Sequence, residues 1–591
     1  MTGLALLFLR TGRPVAVGEL TPILEAMGTR GPDGRDVAVE GPCALGHLHH
    51  WTTPEEIGER QPLRSPDGRF LLAFDGRLDN RDELIAATGA TLPAEPPSDA
   101  AVVLAGLAAG GAGFLARLLG PFALAAWDDR EARVLLATDP MGSRSLVFHL
   151  SPQRLVAATD ELGVLAGPGV DGCLDEGRLD LHFALREPVD DATFFRSVRN
   201  LLPGELLAVE SDRLRRTRPL RVAVAGDPVR DPAAALRNAL EQSVAARLRS
   251  ARRVGVMMSG GLDSTSIAAV ASGLTAPREV PTLSWRFSRF PACDEGPYLD
   301  AMARTFPLAP VDVPGDDAWP RVDEAPVYAA IPSQNPYRGL HEATYDRARR
   351  SDLGVVLTGM FGDQLYTGRG QPTPLSLLRR GIAAGTPVRS TTPGVARRLL
   401  RGGGLLVPRL RRAPWLRADV RRRLPPDPPW PPEIAEARRP LQAARLLDPR
   451  TAEGNRAEGY FASRFAVEVR NPYRDRRVVE LLLALPTREL RHGRVHRPVL
   501  RRAMSGSLPE SVRRRPTKTT FQPLFEEGLA GSGRPRAERL LWARERAWPA
   551  WVRESWLRKS WDSGRLDGIA GLVVWECLAF EMWRDRREAH R

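Results

Sequence analysis

A run of apolar residues passes directly into a small polar loop and then into a predicted helix between positions 254 and 265, which read VGVMMSGGLDST. Glycines in the loop allow backbone angles that are closed to other residues, so successive N–H groups can converge on an anion. The positive end of the helix dipole, expected near Ser264, adds to that attraction. The residues predicted to bind phosphate are Ser259, Gly260, Gly261, Leu262, Asp263 and Ser264.

Asp263 indicates which kind of phosphate chemistry this loop could support. A carboxylate beside phosphate is repulsive unless a divalent cation lies between them, so Asp263 is a candidate magnesium ligand. The loop lacks the Gly-Lys-Ser/Thr ending of the P-loop that holds a transferred γ-phosphate. We therefore interpret it as a loop that binds departing pyrophosphate. The alternative is an ordinary glycine-rich turn, and other segments of the sequence must distinguish the two.

Lysine is nearly absent from the chain. Of its 85 basic residues only Lys518 and Lys559 are lysines, which leaves 83 arginines. A position that keeps lysine in such a background is expected to need a compact ammonium with a tunable pKa on a flexible stem. Lys518, in the segment RRRPTKTTF, is therefore a candidate catalytic cation, whereas Lys559 lies in a Trp/Arg-rich helical stretch.

The elements that must position these residues divide the chain into two unequal parts. Residues 1–215 show short apolar runs punctuated by turns, which predicts a mainly antiparallel sheet structure with a few helices. A Pro/Arg-rich passage from 215 to 231 is the predicted linker. Residues 232–591 alternate helical periodicity with buried strands, which is typical of a parallel sheet with helices on both faces and ligands at the carboxyl ends of the strands. The strands predicted there are 254–258, 282–287 and 354–358.

Length and composition exclude several classes of protein. At 591 residues the chain is too long for one core, and 43% apolar with 26% charged residues is typical of a soluble globular protein. The net charge of +14 is spread along the chain without an aromatic-interleaved basic module. We therefore expect a solvated basic face, or a groove for an acidic peptide or ATP, and no nucleic-acid partner.

Cysteine usage and hydropathy indicate the compartment. The four cysteines lie far apart without a C-x-x-C pair, so they form neither a zinc site nor a convincing disulfide framework. The opening apolar run is too short for a secretory signal, and no later run reaches about 18 apolar residues. We expect a cytoplasmic protein with no membrane partner.

The words Ser-Gly-Gly-Leu-Asp-Ser at 259–264 resemble the pyrophosphate loop of the N-type ATP pyrophosphatases, the adenylating enzymes that include asparagine synthetase. Further segments of that superfamily follow in order, and six ordered matches over about 270 residues make a chance resemblance negligible. These segments include Asp294-Glu295 with Tyr298, Asp323 to Pro326, Val355 to Leu365, Val467 to Asp475, Leu500-Arg501 and the Lys518 segment.

The resemblance implies ATP and Mg²⁺ as cofactors and assigns roles to matching residues. Asp263 and Asp363 are expected to hold magnesium between themselves and the ATP phosphates, which suits the preference of hard cations for oxygen ligands. Gly359 and Gly362 are expected to let the second loop's backbone approach the nucleotide. Lys518 aligns with the lysine that stabilises charge during acyl-adenylate formation and amide closure.

Residues 1–215 resemble the Ntn-type glutamine amidotransferase domain of asparagine synthetases, which implies an antiparallel β-sandwich with helices. The matching segments are 30–33, 75–84, 98–99, 119–128 and 138–144. The family's glutaminase depends on a cysteine at the mature N-terminus, but this chain begins Met1-Thr2-Gly3 and its first cysteine is Cys43, in a predicted strand. We expect a structural relic that makes no ammonia, with Thr2 as a nucleophile the weaker alternative.

Met360 departs from the family pattern. Its position holds glutamate in asparagine synthetases and tyrosine in β-lactam synthetases, and methionine can neither take a proton nor donate a useful hydrogen bond. A base for the amine's proton must lie elsewhere. The candidates are Glu453, Glu458 and Glu468, and the substrate or pyrophosphate is the alternative acceptor.

The chain most resembles the lasso peptide cyclases, because it combines the missing cysteine, Met360 and a long Arg/Pro-rich insertion at 369–449. That resemblance implies adenylation of an Asp or Glu side chain of a precursor peptide, followed by attack of the peptide's own N-terminal amine. The insertion is expected either to form a wall that holds the prefolded peptide or to be a solvated excursion. A leader-peptide-binding protein and a leader peptidase are the implied partners.

Two other classes of function stay open on the sequence. One is a small-molecule amide synthetase, either an asparagine synthetase that uses free ammonia or a β-lactam-type enzyme. The other is a non-catalytic scaffold that holds a peptide without activating it. Retention of the phosphate loop, Asp363 and Lys518 together argues against a scaffold.

Overall fold

The computed structural model describes residues 2–589 apart from several segments. The residues outside the description are 89–95, 187–189, 225, 227–228, 319, 321–327, 333–334, 367–412, 427–431, 436, 448–449, 494, 565 and 567. Much of the insertion predicted at 369–449 therefore lies outside the described residues.

The N-terminal part is a sandwich of two six-stranded sheets. Its strands are β1 (Gly3–Leu9), β2 (Gly34–Glu40), β3 (Cys43–His49), β4 (Leu63–Arg64), β5 (Phe70–Gly76), β6 (Phe122–Asp128), β7 (Arg133–Thr138), β8 (Val147–Leu150), β9 (Arg154–Ala158), β10 (Arg199–Asn200), β11 (Leu206–Val209) and β12 (Leu214–Thr217). The strand orders are β10-β8-β9-β1-β3-β2 and β12-β11-β7-β6-β5-β4. Neighbouring strands run antiparallel in both sheets, which confirms the predicted antiparallel sandwich.

Side chains of β1 alternate between two cores, as the period of two in a strand requires. Leu6 and Phe8 pack between the two sheets, whereas Leu7 packs outward with Leu24 of helix α1 (Val17–Ala26). Cys43 lies opposite Phe8 in the register of β1 and β3 and is fully buried. The predicted place of Cys43 in a strand is therefore confirmed.

The C-terminal part is built on a five-stranded parallel sheet with the order β15-β14-β13-β16-β17. Its strands are β13 (Val254–Met257), β14 (Val280–Arg286), β15 (Leu308–Pro314), β16 (Val355–Thr358) and β17 (Glu468–Arg470), and a separate hairpin joins β18 (Arg491–His492) to β19 (Val495–His496). The order reverses at β13, because β14 and β15 extend to one side and β16 and β17 to the other. Ligands of open α/β sheets bind at such a reversal, beyond the carboxyl ends of the strands.

Helices cover both faces of this sheet, as predicted. Val356 of β16 packs with the cluster that contains Tyr345, whereas Val355 and Leu357 pack on the opposite face with Ile267.

The remaining α-helices of the described chain connect and flank these sheets. In the N-terminal part they are α2 (Arg81–Thr88), α3 (Asp99–Gly110), α4 (Glu161–Leu165) and α5 (Glu176–Phe183). In the C-terminal part they are α6 (Pro232–Leu248), α7 (Leu262–Thr275), α8 (Gly296–Thr305), α9 (Arg338–Arg350), α10 (Gly362–Tyr366), α11 (Ala418–Arg423), α12 (Pro432–Ala435), α13 (Pro440–Leu446), α14 (Arg450–Ser463), α15 (Arg476–Ala484), α16 (Thr487–Leu490), α17 (Pro498–Ala503), α18 (Glu510–Arg513), α19 (Gln522–Ala530), α20 (Arg534–Leu541), α21 (Glu554–Asp562) and α22 (Gly568–Ala589).

One stretch of the described chain, Asp99–Arg117, is long and apolar enough to cross a membrane by length and composition. It comprises α3 and the 3₁₀ turn that follows, and 56% of its most apolar window is buried inside the protein. Val102, Val103 and Leu107 of this stretch pack against the outer face of the second sheet. Such burial is typical of a core helix.

Candidate active site

The first loop of the site connects β13 to α7. The backbone N–H of Ser259 donates to the Ser264 hydroxyl at 3.0 Å, and the two hydroxyl oxygens lie 2.9 Å apart. The helix begins at Leu262 with Gly261 as its N-cap, two residues earlier than expected. Both hydroxyls thus cross the loop and brace it at the start of the helix.

The glycines of this loop are required for a different reason from the one predicted. Neither Gly260 nor Gly261 has a positive φ, so the expectation of special backbone angles is wrong. A Cβ at Gly260 would instead lie 2.8 Å from Tyr298 Cβ and 2.9 Å from Arg515 Nη1. Glycine at 260 lets the loop lie directly against side chains from later segments.

A carboxylate already binds one amide of the loop. The N–H of Gly260 donates to Glu295 Oε2 at 3.0 Å, and Arg515 Nη1 pairs with Glu295 Oε1 at 2.6 Å. The Arg515 guanidinium also lies over the Tyr298 ring, 4.1 Å from its centroid. In this contact the loop amide donates to an anionic oxygen.

The second loop connects β16 to α10 and touches the first. A Cβ at Gly359 would lie 2.7 Å from the Ser264 backbone nitrogen, and one at Gly362 would lie 2.6 Å from Asp263 Cγ. Phe361 between them adopts a left-handed backbone with φ of 74°. In the described structure the two glycines therefore let one loop approach the other, while their predicted approach to a nucleotide stays a prediction.

Asp263 and Asp363 come together around one shared cation, Arg497. Asp263 Oδ1 lies 3.0 Å from Arg497 Nη1, and Arg497 Nη2 also contacts Asp363 Oδ1. Lys518 Nζ contacts the other oxygen of Asp363. The structure thus brings together Asp263, Asp363 and Lys518, which the sequence singled out, and adds Arg497, which it did not.

The two aspartates have opposite electrostatic surroundings. Burial raises the pKa of Asp263 to about 6, even though Arg497 opposes that shift. Burial also acts on Asp363, but the Lys518 ammonium and the Arg497 guanidinium outweigh it and hold the pKa of Asp363 below its usual value. Asp363 is the more firmly ionised of the two.

These residues fit a magnesium ion. Asp263 Oδ1 is buried and has no hydrogen bond of good geometry, so it retains a lone pair for a ligand. Among the described residues there is no group of three or more Asp, Glu, His or Cys side chains that could cage a metal by themselves. Mg²⁺ characteristically takes one or two carboxylates together with substrate phosphates and waters, which is what Asp263 and Asp363 could supply beside the loop.

Comparison with known proteins decides the family. A profile described as "Asparagine synthase" matches residues 235–585, more than half of the chain. A profile described as "Glutamine amidotransferase domain" matches residues 1–219. The chain belongs to the asparagine synthase family. It is therefore an ATP-dependent, amide-forming enzyme of the asparagine synthetase type with an Ntn-type N-terminal part.

Individual relatives within this family are distant. "Asparagine synthetase [glutamine-hydrolyzing] 3" of Bacillus subtilis is 24% identical over 539 residues, covering 86% of this chain and 85% of its own. A "Putative asparagine synthetase [glutamine-hydrolyzing]" of Mycobacterium bovis is 29% identical over 43% of this chain and 45% of its own. The match thus spans less than half of the mycobacterial relative.

Among solved structures, glutamine phosphoribosylpyrophosphate amidotransferase from B. subtilis, complexed with ADP and GMP, is 19% identical with a TM-score of 0.27. That likeness covers 47% of this chain and 65% of that one. It is too remote to carry an argument.

Met360 is an exposed apolar side chain on the second loop of this asparagine synthase family member. It is 40% exposed, and its backbone N–H donates to the Thr358 hydroxyl at 3.3 Å. No proton acceptor therefore stands at the position before Phe361.

The glutamates considered as bases are all engaged in ion pairs. Glu453 pairs with Arg178, Glu458 with His341, and Glu468 with Arg144 and Arg470. Within the described residues none of the three contacts Asp263, Asp363 or Lys518. Arg470 is likewise committed to Glu468.

The amidotransferase-like part of the enzyme has a polar pocket, and no cysteine is among the described residues that line it. Thr2, His49, Asp75 and Arg77 are among the residues that line it. Cys43 is buried, and burial raises the pKa of its thiol far above the usual value. Cys43 is therefore unsuited to act as a nucleophile.

Proposed function

We propose that this asparagine synthase family enzyme is a lasso peptide cyclase. A side-chain carboxylate of a precursor peptide attacks the α-phosphorus of ATP, so that an acyl-adenylate forms and pyrophosphate leaves. The peptide's N-terminal amine then attacks the acyl carbon, an amide bond closes the ring and AMP leaves. The amine's proton passes to the substrate or to pyrophosphate, because the loop offers no side-chain base.

The residues of the cleft divide this chemistry between them. The Ser259 and Ser264 hydroxyls and the backbone N–H groups at the start of α7 bind the departing pyrophosphate. Magnesium, held by Asp263 and Asp363, would supply charge neutralisation at the phosphates. The Lys518 ammonium stabilises negative charge on the phosphoryl and carboxylate oxygens as it develops.

The exposure of Met360 is the observation that best supports a peptide as the substrate. An exposed thioether on the loop that also bears Asp363 gives a small substrate such as free aspartate no polar partner. A peptide, in contrast, can bury apolar surface on it, since methionine packs adaptably at binding surfaces. The loss of the glutamate that asparagine synthetases hold there supports the same conclusion.

The competing function is asparagine synthesis. It is supported as well by the relatives, which include proteins named asparagine synthetase from B. subtilis and M. bovis. Met360 and the buried, non-nucleophilic Cys43 favour an enzyme that needs neither that glutamate nor glutamine-derived ammonia.

The deciding experiment offers both substrates to the purified enzyme. A short precursor peptide encoded beside its gene, or aspartate with ammonia, is incubated with Mg²⁺ and ATP, and pyrophosphate and product mass are measured. Pyrophosphate release with loss of one water from the peptide is expected. Asparagine formation with no peptide product would contradict the proposal.

The implied partners follow from the same reaction. A leader-peptide-binding protein would deliver the precursor, and a leader peptidase would free the amine that attacks. We include both in the proposal, together with the idea that the insertion at 369–449 walls the peptide. A pull-down with the leader peptide and the partner proteins tests this assembly.

A further inference from the structure

One arginine occupies the centre of the candidate magnesium site. Arg497 Nη1 lies 3.0 Å from Asp263 Oδ1, and its Nη2 contacts Asp363 Oδ1. The side chain is 18% exposed. A single guanidinium therefore bridges the two carboxylates that were predicted to hold a metal between them.

The side chain of Arg497 has few partners besides the two aspartates. Its backbone is held, because Arg497 N–H donates to the Leu490 carbonyl at 2.8 Å and the residue caps α17. Among the described residues, its guanidinium forms ion pairs only with the two aspartates and lies over the Tyr366 ring, 5.7 Å from the centroid. Within the described part of the chain, release of the aspartates would break no other hydrogen bond of that side chain.

Arg501, one turn further along, shows the contrasting structural arrangement. Its guanidinium donates to the backbone carbonyls of His496, Arg513 and Arg515. Such bonds join chain segments, and their acceptors are neutral carbonyls and not carboxylates that a ligand could replace. Arg497 is distinguished by having partners that a ligand also needs.

The charges explain what the bridge accomplishes. Two carboxylates face two cations, Arg497 and Lys518, so the cluster is close to neutral when both aspartates are ionised. A lone divalent cation gains little attraction from a neutral cluster. The magnesium–ATP complex is a dianion. When its metal binds the two carboxylates, its phosphate oxygens can replace those carboxylates as the partners of Arg497 and Lys518.

We propose that Arg497 is an internal counter-ion that keeps the two aspartates from binding metal alone and transfers to the nucleotide phosphates when metal and ATP arrive together. This inference rests on the ATP chemistry of the proposed function but not on the peptide. It makes Arg497 a positioning residue with opposite effects on two ligands.

The test measures binding, without turnover. Mn²⁺ alone, followed by its EPR signal, and then Mn²⁺ with a non-hydrolysable ATP analogue, followed by calorimetry, are titrated into the full-length enzyme and Arg497→Gln. Removing the competing cation should tighten Mn²⁺ binding about tenfold and weaken binding of the metal–nucleotide complex about tenfold. Arg502→Gln is the matched control, because Arg502 lies on the helix that Arg497 caps but is half exposed and pairs with Glu489.

The opposite signs separate this role from a structural one. Unchanged or weaker Mn²⁺ binding by folded Arg497→Gln would overturn the proposal, as would unchanged nucleotide binding. If thermal unfolding shows that Arg497→Gln does not fold, Arg497→Lys decides, with the same signs expected at smaller size. Failure of the peptide reaction would leave this result untouched, because no peptide is present.

Discussion

Glu468 of the parallel sheet pairs with Arg144 of the N-terminal sandwich at 2.5 Å, and both side chains are buried. Arg470 pairs with the same carboxylate at 2.7 Å, and the Thr52 hydroxyl donates to it at 2.8 Å. Burial alone would raise the pKa of Glu468, but Arg470 and Arg144 hold it well below the usual range. The amidotransferase-like part therefore supports strand β17, next to the strand that leads to Asp363.

Glu468→Gln should destabilise the protein strongly. The substitution leaves Arg144 and Arg470 as buried cations without their shared counter-charge, and breaking such a pair costs about 3–5 kcal/mol. The free energy of unfolding by urea is the measurement. Glu241→Gln is the control, because Glu241 and Arg237 form an exposed pair on α6, and less than about 1 kcal/mol is expected there. Equal effects of the two variants would contradict this account of the interface.

Replacing Lys518 should slow adenylation without unfolding the protein. Lys518→Met is expected to reduce pyrophosphate release about 10²–10³-fold, since a charge aimed at the reacting oxygens is lost. Lys518→Arg should not restore the rate, because a planar guanidinium cannot take the place of a compact ammonium. The chain's other lysine supplies a control, and Lys559→Arg should release pyrophosphate at the normal rate. A Lys518→Arg variant with full activity would show that any cation suffices.

A methyl group at Gly260 should damage the phosphate loop. In Gly260→Ala the new Cβ would meet Tyr298 Cβ at 2.8 Å and Arg515 Nη1 at 2.9 Å, so the loop must shift and ATP binding should weaken. Gly273→Ala, on α7 with no atom within 4 Å of its Cβ, should stabilise by up to about 1 kcal/mol. Calorimetric titration of ATP and thermal unfolding of both variants provide the comparison. Normal nucleotide affinity in Gly260→Ala would contradict the steric argument.

The His341–Glu458 pair predicts a pH dependence of stability. Burial acts to lower the pKa of His341, but Glu458, with a ring nitrogen to oxygen distance of 3.1 Å, raises it above its usual value. Burial acts to raise the pKa of Glu458, but His341 and Tyr345 lower it. The stability that His341 contributes is therefore fully present below its unfolded pKa and is lost as pH rises through its folded pKa. The stability that Glu458 contributes is present above its unfolded pKa and is lost as pH falls through its folded pKa.

The stability that this pair supplies should consequently be greatest between about pH 4.5 and 6.5 and should decline towards about pH 8. Urea unfolding of the wild type and of His341→Gln at about pH 6 and about pH 8 measures it. The free energy of unfolding of the variant should fall less between these two pH values than that of the wild type. His492→Gln, at an exposed position of the β18–β19 hairpin, should retain the wild-type difference. A variant as pH-sensitive as the wild type would exclude His341 as the source.

The loops of the site could be predicted from the sequence because their information is local. A strand, small polar residues and a helix follow one another within a dozen positions around Asp263. Asp363 joins it because both follow neighbouring parallel strands, which the alternation of strands and helices already indicated.

Arg497 could not be found in this way. It is one arginine among 83, and only the tertiary fold brings its guanidinium to both Asp263 and Asp363. The glycines show the same limit, since Gly260 looked like a conformational requirement and is a steric one imposed by Tyr298 and Arg515, distant in sequence.

The central claim is that a carboxylate is activated by attack on the α-phosphorus of ATP. A precursor peptide with ¹⁸O in its acidic side chain, incubated with the enzyme, Mg²⁺ and ATP, tests it directly by mass spectrometry of the nucleotide products. We predict AMP that carries one ¹⁸O and pyrophosphate that carries none. Labelled orthophosphate together with ADP would contradict it.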